Sequence, residues 1–252
     1  ADAGGQFHRF LPGGPDQDGV FSGSAVLDNG KPTMIYTGVQ APKTQTDATL
    51  KDGVHAWQET QCLAVAADDD LRTWKKLPQP VIATPPAGLV VTGFRDPCLW
   101  REGARWMLIV GSGIRGKGGT ILLYTSPDLR QWTYLHPLLE GSPSSRTGTN
   151  PVDTGDMWEC PDFFALGDRH VLIVSTMLRT QYFIGKYENL KFVPEAGGCC
   201  DFGHYYAKRG YADRSHEQVG AELAGTALRR LRYPNALRDR VCRIVRHHMF
   251  QV

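Results

Sequence analysis

Three segments of the chain repeat one pattern, a polar start followed by an apolar run that ends in a small residue. They are Pro32-Thr-Met-Ile-Tyr-Thr-Gly38, Arg105-Trp-Met-Leu-Ile-Val-Gly111 and Arg169-His-Val-Leu-Ile-Val-Ser175. Runs this short, rich in β-branched and aromatic residues and closed by turn residues, predict strands rather than helices. A second element recurs after two of them. Residues 62–76 and 121–134 each hold a β-rich run, an acidic turn, then Asp-Leu-Arg-x-Trp. The two Trp residues, Trp74 and Trp132, stand 58 residues apart. Short strands recurring about every 60 residues predict a β-repeat architecture of four-stranded radial blades, larger than the roughly 40–50-residue blades of common propellers. In each turn the Asp is expected to cap the chain, and the Trp to pack between sheets rather than to stack on a sugar.

The pattern changes near residue 214. From His216 to Arg232, Val219, Leu223, Ala227, Leu228 and Leu231 fall at helical spacing, and Tyr233-Pro234-Asn235 interrupts them. From Leu237, the positions Val241, Ile244, Val245 and Met249 resume it. Helices are therefore expected over 216–232 and about 236–249. Charge changes at the same place. Residues 214–252 carry eight Arg against three acids, whereas residues 1–213 carry 20 basic against 23 acidic residues. Two domains are expected, 1–213 and 214–252.

Composition agrees with a folded β-protein. The chain has 252 residues, 41% of them hydrophobic and 21% charged, which excludes a disordered polymer. Glycine, at 28 residues, is above its usual share of roughly 7%, as turn-rich sheets require. A net charge of +2 gives no overall case for a polyanion partner, and a basic face on the tail reads first as solvated helix surface. No apolar run approaches 18 residues, so no membrane span is expected, and no secretory signal is legible ahead of the first strand, which leaves the compartment open. Six Cys without a CxxC pair suggest neither a disulfide framework nor a metal site.

Candidate chemistry sits in three places: Phe21-Ser22-Gly23-Ser24, Phe94-Arg95-Asp96-Pro97 and Trp158-Glu159-Cys160-Pro161-Asp162-Phe163. Pro97 is expected to bias Asp96 toward an extended conformation. Arg95 beside it favours the ionised carboxylate, which can accept hydrogen bonds from sugar hydroxyls. Glu159, between an aromatic ring and a thiol, has the partly apolar setting that suits a general acid.

In order and spacing these segments, together with Tyr36-Thr37-Gly38 and Gln61-Cys62-Leu63-Ala64, resemble the successive signatures of glycoside hydrolase family 32, the invertases, fructanases and fructosyltransferases. Asp201-Phe202-Gly203-His204-Tyr205-Tyr206-Ala207 is similar to a later stretch of the same family. The resemblance covers about residues 16–213. It implies a five-bladed β-propeller, all-β, of which three to four blades would lie in this chain; the short C-terminal α-helical hairpin is expected from the apolar spacing of the tail alone. It implies retaining cleavage of β-fructofuranosides of the sucrose, inulin or levan type, with a fructose-containing sugar as partner and no cofactor or metal. Residue by residue, Glu159 matches the general acid/base and Asp96 the transition-state stabiliser. Arg95, Phe21, Ser22, Trp158 and Cys160 match substrate-binding positions, with Cys160 placed to tune Glu159. The family's nucleophile is an Asp in a Trp-Met-Asn-Asp-Pro-Asn-Gly-like segment, and no such segment occurs in these 252 residues. No nucleophile is identified, Asp16 and Asp18 being the only acids in that neighbourhood, so impaired activity is expected of a truncated domain. A non-catalytic sugar-binding role is the alternative.

The tail carries a separate likeness. Ser215–Ala221, Leu228–Asn235 and Val245–Phe250 are similar to part of the HD domain of bacterial tRNA nucleotidyltransferases. His216, His247 and His248 would match some of its metal ligands. The His-Asp pair of that domain is missing, so no metal is expected. An RNA- or nucleotide-linked role through this tail ranks last, and nucleic acid is not an expected partner. A fusion or an artefact of assembly would account for two such pieces in one chain.

Overall fold

The computed structural model describes residues 13–42, 49–51, 55–141, 155–176 and 180–201, with Asn235 and Asp239. The chain divides into two compact units, 1–201 and 202–252. Of the second, only Asn235 and Asp239 are described; both are helical and exposed. The rest of the expected hairpin, the tail histidines, the nucleotidyltransferase-like stretches and residues 202–207 lie outside the described residues. No described helix is long and apolar enough to cross a membrane.

The first unit is all-β, three antiparallel sheets in chain order, the blades of a β-propeller. A 3-10 turn, Gly14–Asp16, leads into the first sheet, built from β1 (Gly19–Asp28), β2 (Lys31–Gln40), β4 (His55–Ala66) and β5 (Trp74–Lys76), with short β3 (Thr49–Lys51) also paired to β4. The second is β6 (Val91–Glu102), β7 (Arg105–Ile114), β8 (Gly118–Ser126) and β9 (Thr133–Glu140). The third is β10 (Glu159–Leu166), β11 (Arg169–Ser175), β12 (Thr180–Glu188) and β13 (Lys191–Asp201). The three repeated apolar segments are β2, β7 and β11, the second strand of each sheet.

Packing explains why those strands read as unbroken apolar runs. On β7, Trp106, Leu108 and Val110 pack toward the first sheet with Ile35, Leu63 and Phe94. The alternate residues Met107 and Ile109 pack toward the third sheet with Trp158, Phe163 and Leu172. β8 divides likewise, Leu122 and Tyr124 one way, Ile121 and Leu123 the other. A middle sheet covered on both faces has no polar face to alternate with.

The Asp-Leu-Arg-x-Trp turns join the third and fourth strands. Leu71 and Leu129 both take positive φ, 58° and 64°. Each following Trp donates its indole N–H to that Leu carbonyl, Trp74 at 3.1 Å and Trp132 at 2.9 Å. Trp132 packs on the core between the first two sheets, as expected. The capping Asp differs between copies. Asp128 takes the amides of Arg130 and Gln131, but in the first copy Asp68, two residues ahead of Asp70, takes those of Arg72 and Thr73. Asp70 only faces Arg72 in an exposed ion pair. Accordingly Asp128→Ala should lower stability by about 1 kcal/mol, the value of a lost cap, and Asp68→Ala should lower the urea unfolding midpoint too, while Asp70→Ala leaves it in place.

Candidate active site

The three candidate segments all lie on the first strand of a sheet, and β6 touches both β1 and β10. In each, the ladder breaks at the residues of interest: between Phe21 and Gly23, between Arg95 and Cys98, and between Glu159 and Asp162. These are β-bulges, which release residues from the pleat and re-aim their side chains. Pro97 and Pro161 have no N–H for the ladder, so the breaks fall where pairing is weakest. Asp96 and Cys160, each just before its Pro, have φ of 61° and 46°. Asp96 is therefore left-handed, not extended; the bulge overrides the usual preference of a residue before proline. Such strain costs on the order of 1–3 kcal/mol and persists where the surroundings over-determine it.

Here the surroundings are two hydrogen bonds that join the bulges. The Asp96 amide donates to Thr37 Oγ1 on β2 at 2.9 Å, and the Cys160 amide donates to Asp96 Oδ2 at 2.9 Å. The segment carrying Glu159 is pressed against the second sheet. The Trp158 amide donates to the Ser112 carbonyl at 3.0 Å. A Cβ on Gly119 would sit 2.2 Å from the Trp158 ring, and one on Gly111 2.5 Å from its carbonyl oxygen, so only glycine permits this approach.

Arg95 stands at the centre, 3% exposed. Its Nη1 donates to Glu59 Oε1 at 2.8 Å, and its Nε and Nη2 both donate to Glu159 Oε1, Nε at 2.9 Å. Glu59 and Glu159 are 2% and 3% exposed. The setting of Glu159 is thus ionic on one side, where the sequence suggested apolar surroundings. Asp96 is held above the usual carboxylate range, first by burial and then by the neighbouring Glu159 charge, against the lowering pull of the Cys160 amide and Arg95. The Cys160 thiol opens to solvent but lies 3.5 Å from Asp96 Oδ2. Desolvation and that carboxylate push it up to about 12, so it stays protonated as a neutral neighbour.

Of the other sequence candidates, Phe21 is 38% exposed and Ser22, also exposed, hydrogen-bonds Cys160. Both are open to an incoming molecule. Trp158 is not: its ring is fully buried against Phe183 and Gly119 and packs between sheets instead of forming an open wall. Asp16 is fully buried, taking Lys76 Nζ, the Tyr36 hydroxyl and the Gly13 amide, each at 2.8 Å. It fastens the 3-10 turn to the first sheet. Asp18 accepts the Ala41 amide at 2.7 Å.

Of three buried polar residues beside these, Glu59 was not singled out from sequence, and Gln61 and Thr37 stood there only as members of longer motifs. Glu59 Oε2 also accepts the Phe94 amide at 2.6 Å. Gln61 donates to the Phe94 carbonyl at 2.9 Å and accepts from Thr37 Oγ1 at 3.0 Å. The legible signal was the run Gln58-Glu59-Thr60-Gln61, polar at every position inside a strand that ends Cys62-Leu63-Ala64-Val65. Among the described residues no group of acidic, His and Cys side chains is arranged to hold a metal ion.

The sequence model of the glycosyl hydrolases family 32 N-terminal domain matches residues 12–230. The chain belongs to this family. The match includes Phe21, Asp96 and Glu159 and runs past the composition change near 214. Among curated relatives, a sucrose-6-phosphate hydrolase of Escherichia coli is 43% identical over 162 residues, 64% of this chain and 29% of that protein. An insoluble-isoenzyme β-fructofuranosidase of Arabidopsis thaliana is 33% identical over 238 residues, 81% of this chain and 36% of that protein. Among solved structures, a Bombyx mori family 32 β-fructofuranosidase, a mutant in complex with sucrose, superposes with a TM-score of 0.61 at 30% identity, covering 77% of this chain and 41% of that one. The chain thus spans about a third of the length of these curated relatives.

Proposed function

We propose that residues 1–213 form a β-fructofuranoside site of the retaining glycosidase type, acting on sugars of the sucrose, inulin or levan kind, and that residues 214–252 take no part in it. The observation that carries this reading is the meeting of two bulged first strands from neighbouring sheets, across which Arg95 bonds Glu159 and the Cys160 amide bonds Asp96. The relatives named sucrose-6-phosphate hydrolase and β-fructofuranosidase support the substrate class.

In this reading Glu159 is the general acid/base. It protonates the glycosidic oxygen as the bond to the fructosyl anomeric carbon breaks, and positive charge develops on the sugar ring. Asp96 accepts hydrogen bonds from the fructose hydroxyls, and its negative charge favours that cationic transition state. Arg95, held by two carboxylates, orders Glu159 rather than reaching into the pocket. Phe21 and Ser22 form the pocket wall, and Cys160 is a neutral thiol beside Asp96. Trp158 acts through packing alone. Retention needs a second carboxylate, about 5–5.5 Å from the acid, to attack the anomeric carbon. We assign none within these residues; Asp16 is fully engaged by Lys76 and Tyr36.

Calorimetry with fructose and sucrose, alongside release of fructose from sucrose and inulin, tests both parts. Saturable binding with little release is expected of these 252 residues. Binding of neither sugar would sink the reading. Robust release that survives Asp16→Asn and Asp18→Asn would overturn the statement that no nucleophile is present.

A further inference from the structure

Nothing in the proposed chemistry uses Glu59, although burying a carboxylate to 2% exposure is costly unless it is fully partnered. Both of its oxygens are committed to the Arg-Asp bulge. Oε2 takes the Phe94 amide at 2.6 Å, and Oε1 takes Arg95 Nη1 at 2.8 Å. A guanidinium is a rigid planar fork, so fixing one edge fixes the other. With Nη1 anchored on β4, Nε and Nη2 are aimed at Glu159 on β10. Two further side chains of the first sheet complete the clamp, Gln61 on the Phe94 carbonyl and Thr37 on the Asp96 amide.

We propose that Glu59 is a positioning residue: a third carboxylate, contributed by the neighbouring blade, that seats Asp96 and presents Arg95 to Glu159. The assignment rests on the fructoside reading of the site. Its role is electrostatic as well as steric. One guanidinium faces Glu59, Glu159 and Asp96, with the neutral Cys160 thiol alongside. Sharing Arg95 with Glu59 keeps its full charge from falling on the two working carboxyls. Removing the Glu59 charge leaves Arg95 to favour the ionised form of Asp96 more strongly.

The test compares the wild type, Glu59→Gln and Glu59→Asp, all as the full chain. Sucrose affinity is measured by calorimetry from pH 4 to pH 8, and the Arg95 Nε–H resonance is followed by 15N NMR. Glu59→Gln keeps the shape and loses the charge; Glu59→Asp keeps the charge and loses reach. Glu59→Gln is expected to bind sucrose at least about tenfold more weakly at pH 7. Its loss of binding on acidification should also move to lower pH. Glu59→Asp should weaken binding while leaving that pH dependence in place. Both should displace the Arg95 resonance. Affinity within twofold of the wild type, with an unmoved acid limb and an unmoved resonance in Glu59→Gln, overturns the proposal. Should the wild type bind no sucrose, the fructoside reading fails, and the resonance alone decides whether Glu59 holds Arg95. A variant too unstable to titrate is judged by the same resonance in Glu59→Asp.

Discussion

Replacing Arg95 with Leu is expected to cost about 3–5 kcal/mol of folding stability at pH 7, the usual consequence of deleting one partner of a buried ion pair. Arg95 is nearly inaccessible and is the shared cation of Glu59 and Glu159, themselves 2% and 3% exposed. Leu fills much of the volume but leaves two carboxyls facing an apolar chain. The loss therefore comes from stranded charge, not from a cavity. That origin has a signature: the deficit against the wild type should narrow as pH falls and the stranded acids take up protons. Arg95→Lys, which keeps a charge but cannot serve both carboxyls with a planar fork, should fall between the two. Urea unfolding of the three proteins at pH 7 and pH 5 measures this. A loss below about 1 kcal/mol for Arg95→Leu, or one independent of pH, would contradict the ionic cluster described here.

Much of this arrangement was legible in the sequence because it is local. The second strands β2, β7 and β11 stand out as apolar runs, and for β7 packing on both faces leaves no polar alternation to blur it. The Asp-Leu-Arg-x-Trp turns stand out because one hydrogen-bonded loop, with a left-handed Leu and a bonded indole, is built twice. Two of the three bulged site motifs, those of Asp96 and Glu159, are compact enough to be recognised by their Pro residues and neighbouring acids. What was not legible is non-local. Glu59 serves Arg95 from another sheet, 36 residues earlier, and nothing in the chain near Glu59 announces the partner. The conformation of Asp96 follows from the bulge and from Thr37, so the local rule for a residue before proline misleads. Trp158 adjoins Glu159 in sequence, yet glycines at 111 and 119 draw its ring into the core. Asp68 replaces Asp70 as the cap because the first turn has two more residues between its strand and the Leu: Asp68 stands two residues past Ala66, as Asp128 stands two past Ser126.

The second large effect is expected at Asp96. Asp96→Asn should leave the fold intact, because Asn is among the residues that tolerate a left-handed φ, and the Cys160 amide still finds a side-chain oxygen to donate to. It should weaken fructoside binding by at least about tenfold, since hydrogen bonds to a charged acceptor contribute about 1.5–3 kcal/mol each. The pH dependence carries a definite sign. Burial raises the carboxyl above its ordinary range. Affinity that relies on the ionised form is therefore full at neutral pH and is lost as pH falls through this raised value, earlier than for an exposed aspartate. Asn does not titrate, so the variant's weak affinity should lack this acid limb.

The most direct measurement is a side-by-side calorimetric titration of the wild type and Asp96→Asn with sucrose, at pH 7 and again in mildly acid solution. A site built around an ionised Asp96 predicts saturable binding by the wild type that declines on acidification, and binding by Asp96→Asn at least about tenfold weaker and indifferent to pH, with the same unfolding midpoint for both. Equal affinity in the two proteins, or a wild type whose binding is unchanged by acid, would contradict it.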